Sequence, residues 1–260
     1  MSIVISISNQ KGGTAKTSTS TNLSLGLAMK GHSTLLIDID PQGNSTTAVG
    51  KDKKSFDKTI YHCLAKDEAI ENIIVHTDFK NLDLCPSNRD LIIAEAELLT
   101  KIGREHILKR ELAKIQNKYS YIIIDCPPSL GVLSTNALTA SNSVIITIEA
   151  SDFSLSGMEE FMTSFQLIKY INNDLTVEGI LITRAESNTN TFKNCYSQLK
   201  QLFGDKCYDF CIPRNQAIAD AQSKINFDDG IAKPAIYSYP SAKGSLMYNK
   251  LVDEVINNVR

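Results

Sequence analysis

The segment Gln10-Lys11-Gly12-Gly13-Thr14-Ala15-Lys16-Thr17-Ser18 carries residue types suited to holding phosphate. A small-residue turn lets backbone N–H groups approach an anion, and the start of a following helix adds partial positive charge. Gly12 and Gly13 bring no Cβ into that space. Lys16 is spaced to reach β- and γ-phosphate oxygens, and the Thr17 hydroxyl to ligate Mg2+. Gln10 and Ala15 stand where the standard P-loop pattern has glycine, so the loop is a deviant form. A glycine pair with a lysine also occurs in ordinary strand-to-helix turns. Two acidic partners downstream favour the phosphate reading: Asp40, in Asp38-Ile39-Asp40-Pro41-Gln42-Gly43-Asn44, and Asp125, in Asp125-Cys126-Pro127-Pro128. An apolar strand ending in aspartate sets a carboxylate at the C-terminal edge of a sheet, where α/β proteins bind ligands. Asp125 is expected to hold Mg2+ through a water, and Asp40 to orient or deprotonate an attacking water. Taken singly, either aspartate also reads as a helix cap or turn former.

The elements that must position these groups alternate short β-branched runs with helical patterns, which predicts a mostly parallel sheet. Strands are expected at Ile3–Ser8, Thr34–Ile39, Leu82–Cys85, Tyr121–Asp125, Ser143–Ile148 and Val177–Thr183, with a weaker one at Cys207–Ile212. Helices are expected over Thr17–Lys30, about Asp90–Asn117, Met158–Asn172, Phe192–Phe203 and Leu246–Val259. Residues 45–80 give the least definite pattern. No linker or repeat divides the chain, so one three-layer α/β/α domain over residues 1–260 is expected. Ala15, at the first helical turn, is expected to take ordinary helical dihedrals.

Bulk composition limits the functional classes. A formal net charge of −2 gives no general attraction to nucleic acid, so any such contact needs a local patch. Apolar runs such as Ile122–Ile124 are far shorter than a membrane span, and no secretion signal is expected. The six cysteines lack metal-site spacing and are expected to be reduced thiols of a cytoplasmic protein.

At this point the sequence resembles the ParA/MinD family of deviant P-loop ATPases, most of all its ParA (Soj-like) branch. The carriers are NQKGGTAKTS (Asn9–Ser18), LLIDIDPQGNST (Leu35–Thr46), YIIIDCPPSLGVLSTNAL (Tyr121–Leu138), IPRN (Ile212–Asn215) and SYPSAKGSLMYNKLVDEV (Ser238–Val255). The resemblance implies ATP and Mg2+ as cofactors, with slow, partner-stimulated hydrolysis. It implies an ATP-sandwich homodimer in which Lys11 reaches the partner subunit's nucleotide, and places Pro213 and Asn215 near the adenine. Lys11 also precedes the glycines on the outer side of the loop, and a cation supplied in trans can stabilise charge on the γ-phosphoryl group. The family pattern further implies a ParB-like centromere-binding or adaptor partner, non-specific double-stranded DNA binding, and association with the nucleoid when ATP is bound.

The DNA-binding stretches depart from the family. Glu186–Thr191 and Asn215–Ile218 lack the arginines often found there, and Arg184–Arg260 holds 10 basic against 8 acidic residues. Lys193, Lys224 and Lys243 remain as candidate DNA contacts. A MinD-like membrane regulator is the alternative, but Leu251–Arg260 has one basic residue and reads as a helix packed on the core, with no stable membrane association. A cluster-carrying reductase would need paired cysteines, and Cys126 alone is suggestive. A tyrosine kinase on this scaffold would need a tyrosine-rich tail, which is lacking.

Overall fold

The computed structural model describes residues 1–150, 155–221 and 230–258. In chain order its strands are β1 (Ile3–Ser8), β2 (Thr34–Asp38), β3 (Val75–His76), β4 (Leu82–Cys85), β5 (Tyr121–Asp125), β6 (Ser143–Glu149), β7 (Thr176–Ala185) and β8 (Cys207–Pro213). The helices are α1 (Lys16–Met29), α2 (Asn44–Ala48), α3 (Ile60–Ala65), α4 (Leu91–Leu98), α5 (Ile107–Ile115), α6 (Val132–Ala140), α7 (Leu155–Lys169), α8 (Asn190–Phe203), α9 (Gln216–Ala221), α10 (Ala235–Ser238) and α11 (Lys243–Asn258). The strands form one sheet in the order β3-β4-β2-β5-β1-β6-β7-β8, parallel except for the β3/β4 pair.

Alternation along the strands builds two cores. Val4, Leu35, Ile37, Ile122 and Ile124 face the layer that includes α3, α4, α5 and α6, and that layer continues through Val144, Ile146 and Ile148 to α7 and α8. Ile5, Ile7, Leu36, Ile123 and Ile145 face the other layer, where α1 is covered by α10 and α11. The α/β/α sandwich and its mostly parallel sheet agree with the sequence expectation.

Helix α1 is buried on nearly every side, because it lies between the sheet and α11. Thr21 and Ser24 donate within the helix, to the Thr17 carbonyl at 2.8 Å and the Ser20 carbonyl at 2.7 Å, while Thr17 and Ser20 turn their hydroxyls to Asp125 on β5. A Cβ on Gly26 would lie 2.4 Å from Val252 Cγ2, so glycine permits the close approach of α11. The apolar face of α11 is spent on this contact, with Tyr248, Leu251, Val252 and Val255 wholly buried. Burial of each such side chain contributes about 1.5–3 kcal/mol.

The expected helix over Asp90–Asn117 is two helices. Gly103 takes φ 63°, and a 3-10 turn at Arg104–His106 redirects the chain from α4 into α5. Within 45–80 the chain forms α2, α3 and the two-residue β3, an antiparallel edge strand that periodicity did not reveal. Helix α6 also went unforeseen, and α11 begins at Lys243 instead of Leu246.

Candidate functional site

Strand β1 ends at Ser8, the loop crosses the C-terminal edge of the sheet, and α1 begins at Lys16. β1 lies between β5 and β6, where the connections switch sides of the sheet and ligands of open α/β folds bind. A cleft of about 590 Å3 opens at this edge, within the range of small-molecule sites. Gly12, Gly13, Ala15, Lys16, Thr17, Ser18 and Asp40 line one part, and Pro213 and Asn215 another. Thr14, Lys11 and Asp125 do not line it. The Thr14 hydroxyl is turned inward to accept from Thr147 at 3.1 Å, Lys11 is exposed on the rim, and Asp125 is buried behind Thr17.

The loop is held from β6 and β7. Thr183 Oγ1 donates to the Thr14 carbonyl at 3.0 Å, and Arg184 Nη1 to the Gly13 carbonyl at 3.3 Å. Asn9 Nδ2 donates to the Thr147 carbonyl at 2.6 Å, while its Oδ1 accepts from Lys11 N at 3.0 Å. Gly13 takes φ 82°, a left-handed geometry that favours glycine. A Cβ at Gly12, in contrast, would meet nothing within 4 Å, so only Gly13 is required by the backbone here.

Ala15 corrects the sequence expectation. It is the N-cap of α1 with φ 59° and ψ 30°, left-handed instead of helical. The loop must reverse direction in one residue to enter the helix, and that turn imposes the conformation. A left-handed backbone costs an L-residue about 1–2 kcal/mol, whereas glycine costs about 0.4–1 kcal/mol through the entropy of the unfolded chain. Ala15→Gly is therefore expected to stabilise by up to about 1 kcal/mol, or raise Tm by about 2–4 °C. A lower Tm in differential scanning calorimetry would contradict the strain.

Lys16 is buried and donates from Nζ to the Lys11 carbonyl at 2.9 Å. Burial pulls its pKa down, opposed by the charges of Asp125, Cys126 and Asp40. Asp125 accepts from Ser20 Oγ at 2.9 Å on one oxygen, and from Thr17 Oγ1 at 2.9 Å and Ser45 Oγ at 2.7 Å on the other. With its proton given to Asp125, the Thr17 oxygen keeps its lone pairs for a hard cation, so an all-oxygen Mg2+ site fits these residues. Asp40 is 8% exposed, accepts from Gln42 N at 2.8 Å, and is pushed above the usual carboxylate range by burial. The turn that carries it needs Gly43: φ is 61°, and a Cβ would lie 2.8 Å from the Ser87 carbonyl oxygen.

Asp38 is a member of this site that sequence reasoning passed over. It pairs in register with Asp125 on the neighbouring strand, and both carboxyls are wholly buried. Its oxygens accept from Thr46 N at 2.7 Å, Thr46 Oγ1 at 2.8 Å and Asp40 N at 3.2 Å, tying the Asp40 turn to β2. The signal in the sequence was a second carboxylate at the end of an apolar run, Leu35-Leu36-Ile37-Asp38. Burial, and for Asp38 the adjacent Asp125 charge, push both pKa values up. A carboxyl raised above its unfolded value stabilises fully below that unfolded value, and the contribution disappears as pH rises through the folded value. The nucleotide-free protein is therefore expected to melt at lower temperature at about pH 8 than at about pH 5.5, and a midpoint that rises over this window would contradict it.

The candidate DNA residues are not brought together. Lys193 is exposed on α8 and Lys243 on α11, and these helices cover opposite faces of the sheet. Lys224 lies outside the described residues. Arg214 pairs with Glu186 at 3.3 Å in the stretch where basic residues were sought. Cys126 is buried in the core, its thiol pushed up to about 12 by burial. Among the described residues no helix is long and apolar enough to cross a membrane.

A strand, a glycine loop and a helix opening on Lys-Thr, backed by aspartates at adjoining strand ends, define a P-loop protein of the deviant kind. Residues 2–177 match the family model described as AAA domain. The chain is 41% identical over 259 residues to the sporulation initiation inhibitor protein Soj of Bacillus subtilis, covering 99% of this chain and 100% of that protein. It is 36% identical to the chromosome partitioning protein ParA of Myxococcus xanthus, over 97% and 87% of the two chains. A structure described as cobyrinic acid a,c-diamide synthase of Mycobacterium smegmatis, with bound ADP and magnesium, superposes with a TM-score of 0.84 at 32% identity, over 98% and 94%. The chain belongs to the ParA/MinD family of P-loop ATPases, in the branch of Soj and ParA.

Proposed function

We propose that the protein is a Mg2+-dependent ATPase that dimerises on ATP and uses slow hydrolysis to segregate or position DNA. The observation that carries the ATPase reading is the meeting of Lys16, Thr17 and Asp40 at one cleft, with Asp125 directly behind it. The cleft alone does not select a cargo, since a protein named as a synthase shares the fold; the full-length likeness to Soj and ParA favours partitioning.

Lys16 supplies a desolvated ammonium to the β- and γ-phosphate oxygens, and the first turn of α1 supplies N–H groups and its dipole. Thr17 would ligate Mg2+ directly and Asp125 would hold it through a water, and the bound ion would neutralise charge on the β- and γ-phosphates. Asp40 takes the proton of the attacking water, a task helped by its raised basicity. Lys11, exposed on the rim, serves the partner subunit's nucleotide, so dimer formation depends on the triphosphate. Pro213 and Asn215 border the adenine end, and a ParB-like protein accelerates turnover. DNA affinity rests on lysines supplied by both protomers and falls steeply with salt. The MinD-like alternative is less favoured, because the apolar face of α11 is buried against α1.

Size-exclusion chromatography with ATP and Mg2+ tests the dimer: the wild-type chain is expected to shift to twice its mass and Lys11→Ala to remain monomeric. A gel shift with arbitrary duplex at low salt tests DNA binding. Retardation is expected with ATP and none with ADP; an empty gel with ATP and with a non-hydrolysable analogue removes the DNA-binding part of the proposal.

A further inference from the structure

Arg184 is the penultimate residue of β7, and its backbone leaves the strand conformation at φ 50°. It is one of four non-glycine residues with positive φ among those described. Such departures gather at functional sites, where surrounding contacts hold them. Arg184 borders the same cleft as Lys16 and Thr17. Its Nη1 makes two long contacts, 3.3 Å to the Gly13 carbonyl and 3.5 Å to Glu149 Oε2, and the side chain is 46% exposed. Both contacts use one nitrogen of a group with five donors, whose planar fork matches phosphate oxygens. Glu149 is mostly covered, at 17%, and keeps the guanidinium beside the loop. The other arginine at the cleft, Arg214, pairs outward with Glu186 and makes no hydrogen bond to the loop.

We infer that Arg184 binds the polyphosphate of the nucleotide in cis, reaching it from its place beside the Gly13 carbonyl. The inference rests on the nucleotide reading of the cleft. Neither contact of Nη1 is short enough to hold it against a dianionic phosphate, which offers charge-assisted bonds. Glu149 then acts as a competing anion that orients the arginine while the cleft is vacant.

Calorimetric titration tests this with a non-hydrolysable ATP analogue plus Mg2+, and with ADP plus Mg2+. The proteins are wild type, Arg184→Asn, Arg184→Lys and Glu149→Gln. Asparagine tolerates the left-handed backbone, so Arg184→Asn removes the guanidinium without forcing the turn. The expected result is triphosphate affinity about 10- to 100-fold lower in Arg184→Asn, a smaller loss for ADP, and partial recovery in Arg184→Lys. Glu149→Gln is expected to bind the triphosphate as tightly as wild type or more tightly. Wild-type affinity in Arg184→Asn overturns the inference alone. Equal losses for ADP and the triphosphate, with a lowered Tm, assign Arg184 to loop packing and overturn it too. A wild-type protein that binds neither nucleotide removes the nucleotide reading together with the inference.

Discussion

Lys16→Ala is expected to lower affinity for Mg2+-ATP by about 10²–10³-fold and to bring turnover below detection, the largest effect of any single change in the chain. A hydrogen bond to a charged partner contributes about 1.5–3 kcal/mol, and Lys16 is positioned to make more than one in a desolvated setting. Transition-state charge on the γ-phosphoryl group adds a further factor of about 10²–10³ in rate. The folded state should change little, because burial already disfavours the ammonium and the nearby carboxylates only partly offset that. Equilibrium binding of a fluorescent ATP analogue, phosphate release and thermal melting measured together check this. Lys16→Arg should not rescue, since a planar guanidinium cannot occupy the buried space of a compact ammonium. Turnover within about tenfold of wild type in Lys16→Ala would mean that the loop does not grip phosphate.

Asp40→Ala is expected to separate binding from chemistry. Loss of a general base costs about 10²–10⁴-fold in rate, while Lys16, Thr17 and Asp125 remain to hold the triphosphate. The protein should therefore accumulate as an ATP dimer, seen by light scattering after chromatography, with phosphate release reduced by at least about a hundredfold. The change also removes the acceptor for Gln42 N, so a control is required. Asp40→Asn keeps that acceptor and should show the same trapped dimer. Rapid hydrolysis in Asp40→Asn would assign Asp40 to shaping the turn alone.

The glycine loop and the strands around it were legible because their signals are local. A β-branched run, two glycines and Lys16-Thr17 follow one another within the first 17 residues, and the Tyr121–Asp125 run ends on its carboxylate without ambiguity. What was not legible depends on chain reversal or distance. The left-handed backbone of Ala15 follows from the path of the loop, and alanine carries no propensity that signals it. Asp38 and Asp40 look equivalent in sequence; only pairing of β2 with β5 shows Asp38 beside Asp125 and Asp40 at the cleft. The break at Gly103 was hidden because the helix formers Leu, Ala and Glu run through the segments on both sides of it. Lys193 and Lys243 were both candidate DNA contacts, and only layer assignment shows that they lie on opposite faces of the sheet.

The packing of α11 on α1 also constrains how this protein comes into being at the ribosome. Tyr248 forms part of the cleft, and Val252 presses on Gly26 in the helix that presents Lys16. A nascent chain holding only the first two hundred or so residues has its glycine loop but lacks the support behind it. Under the proposed ATPase reading, nucleotide capture is expected only once translation has delivered the segment around residues 243–258; binding of an ATP analogue by a ribosome-stalled chain ending before residue 243 would contradict this.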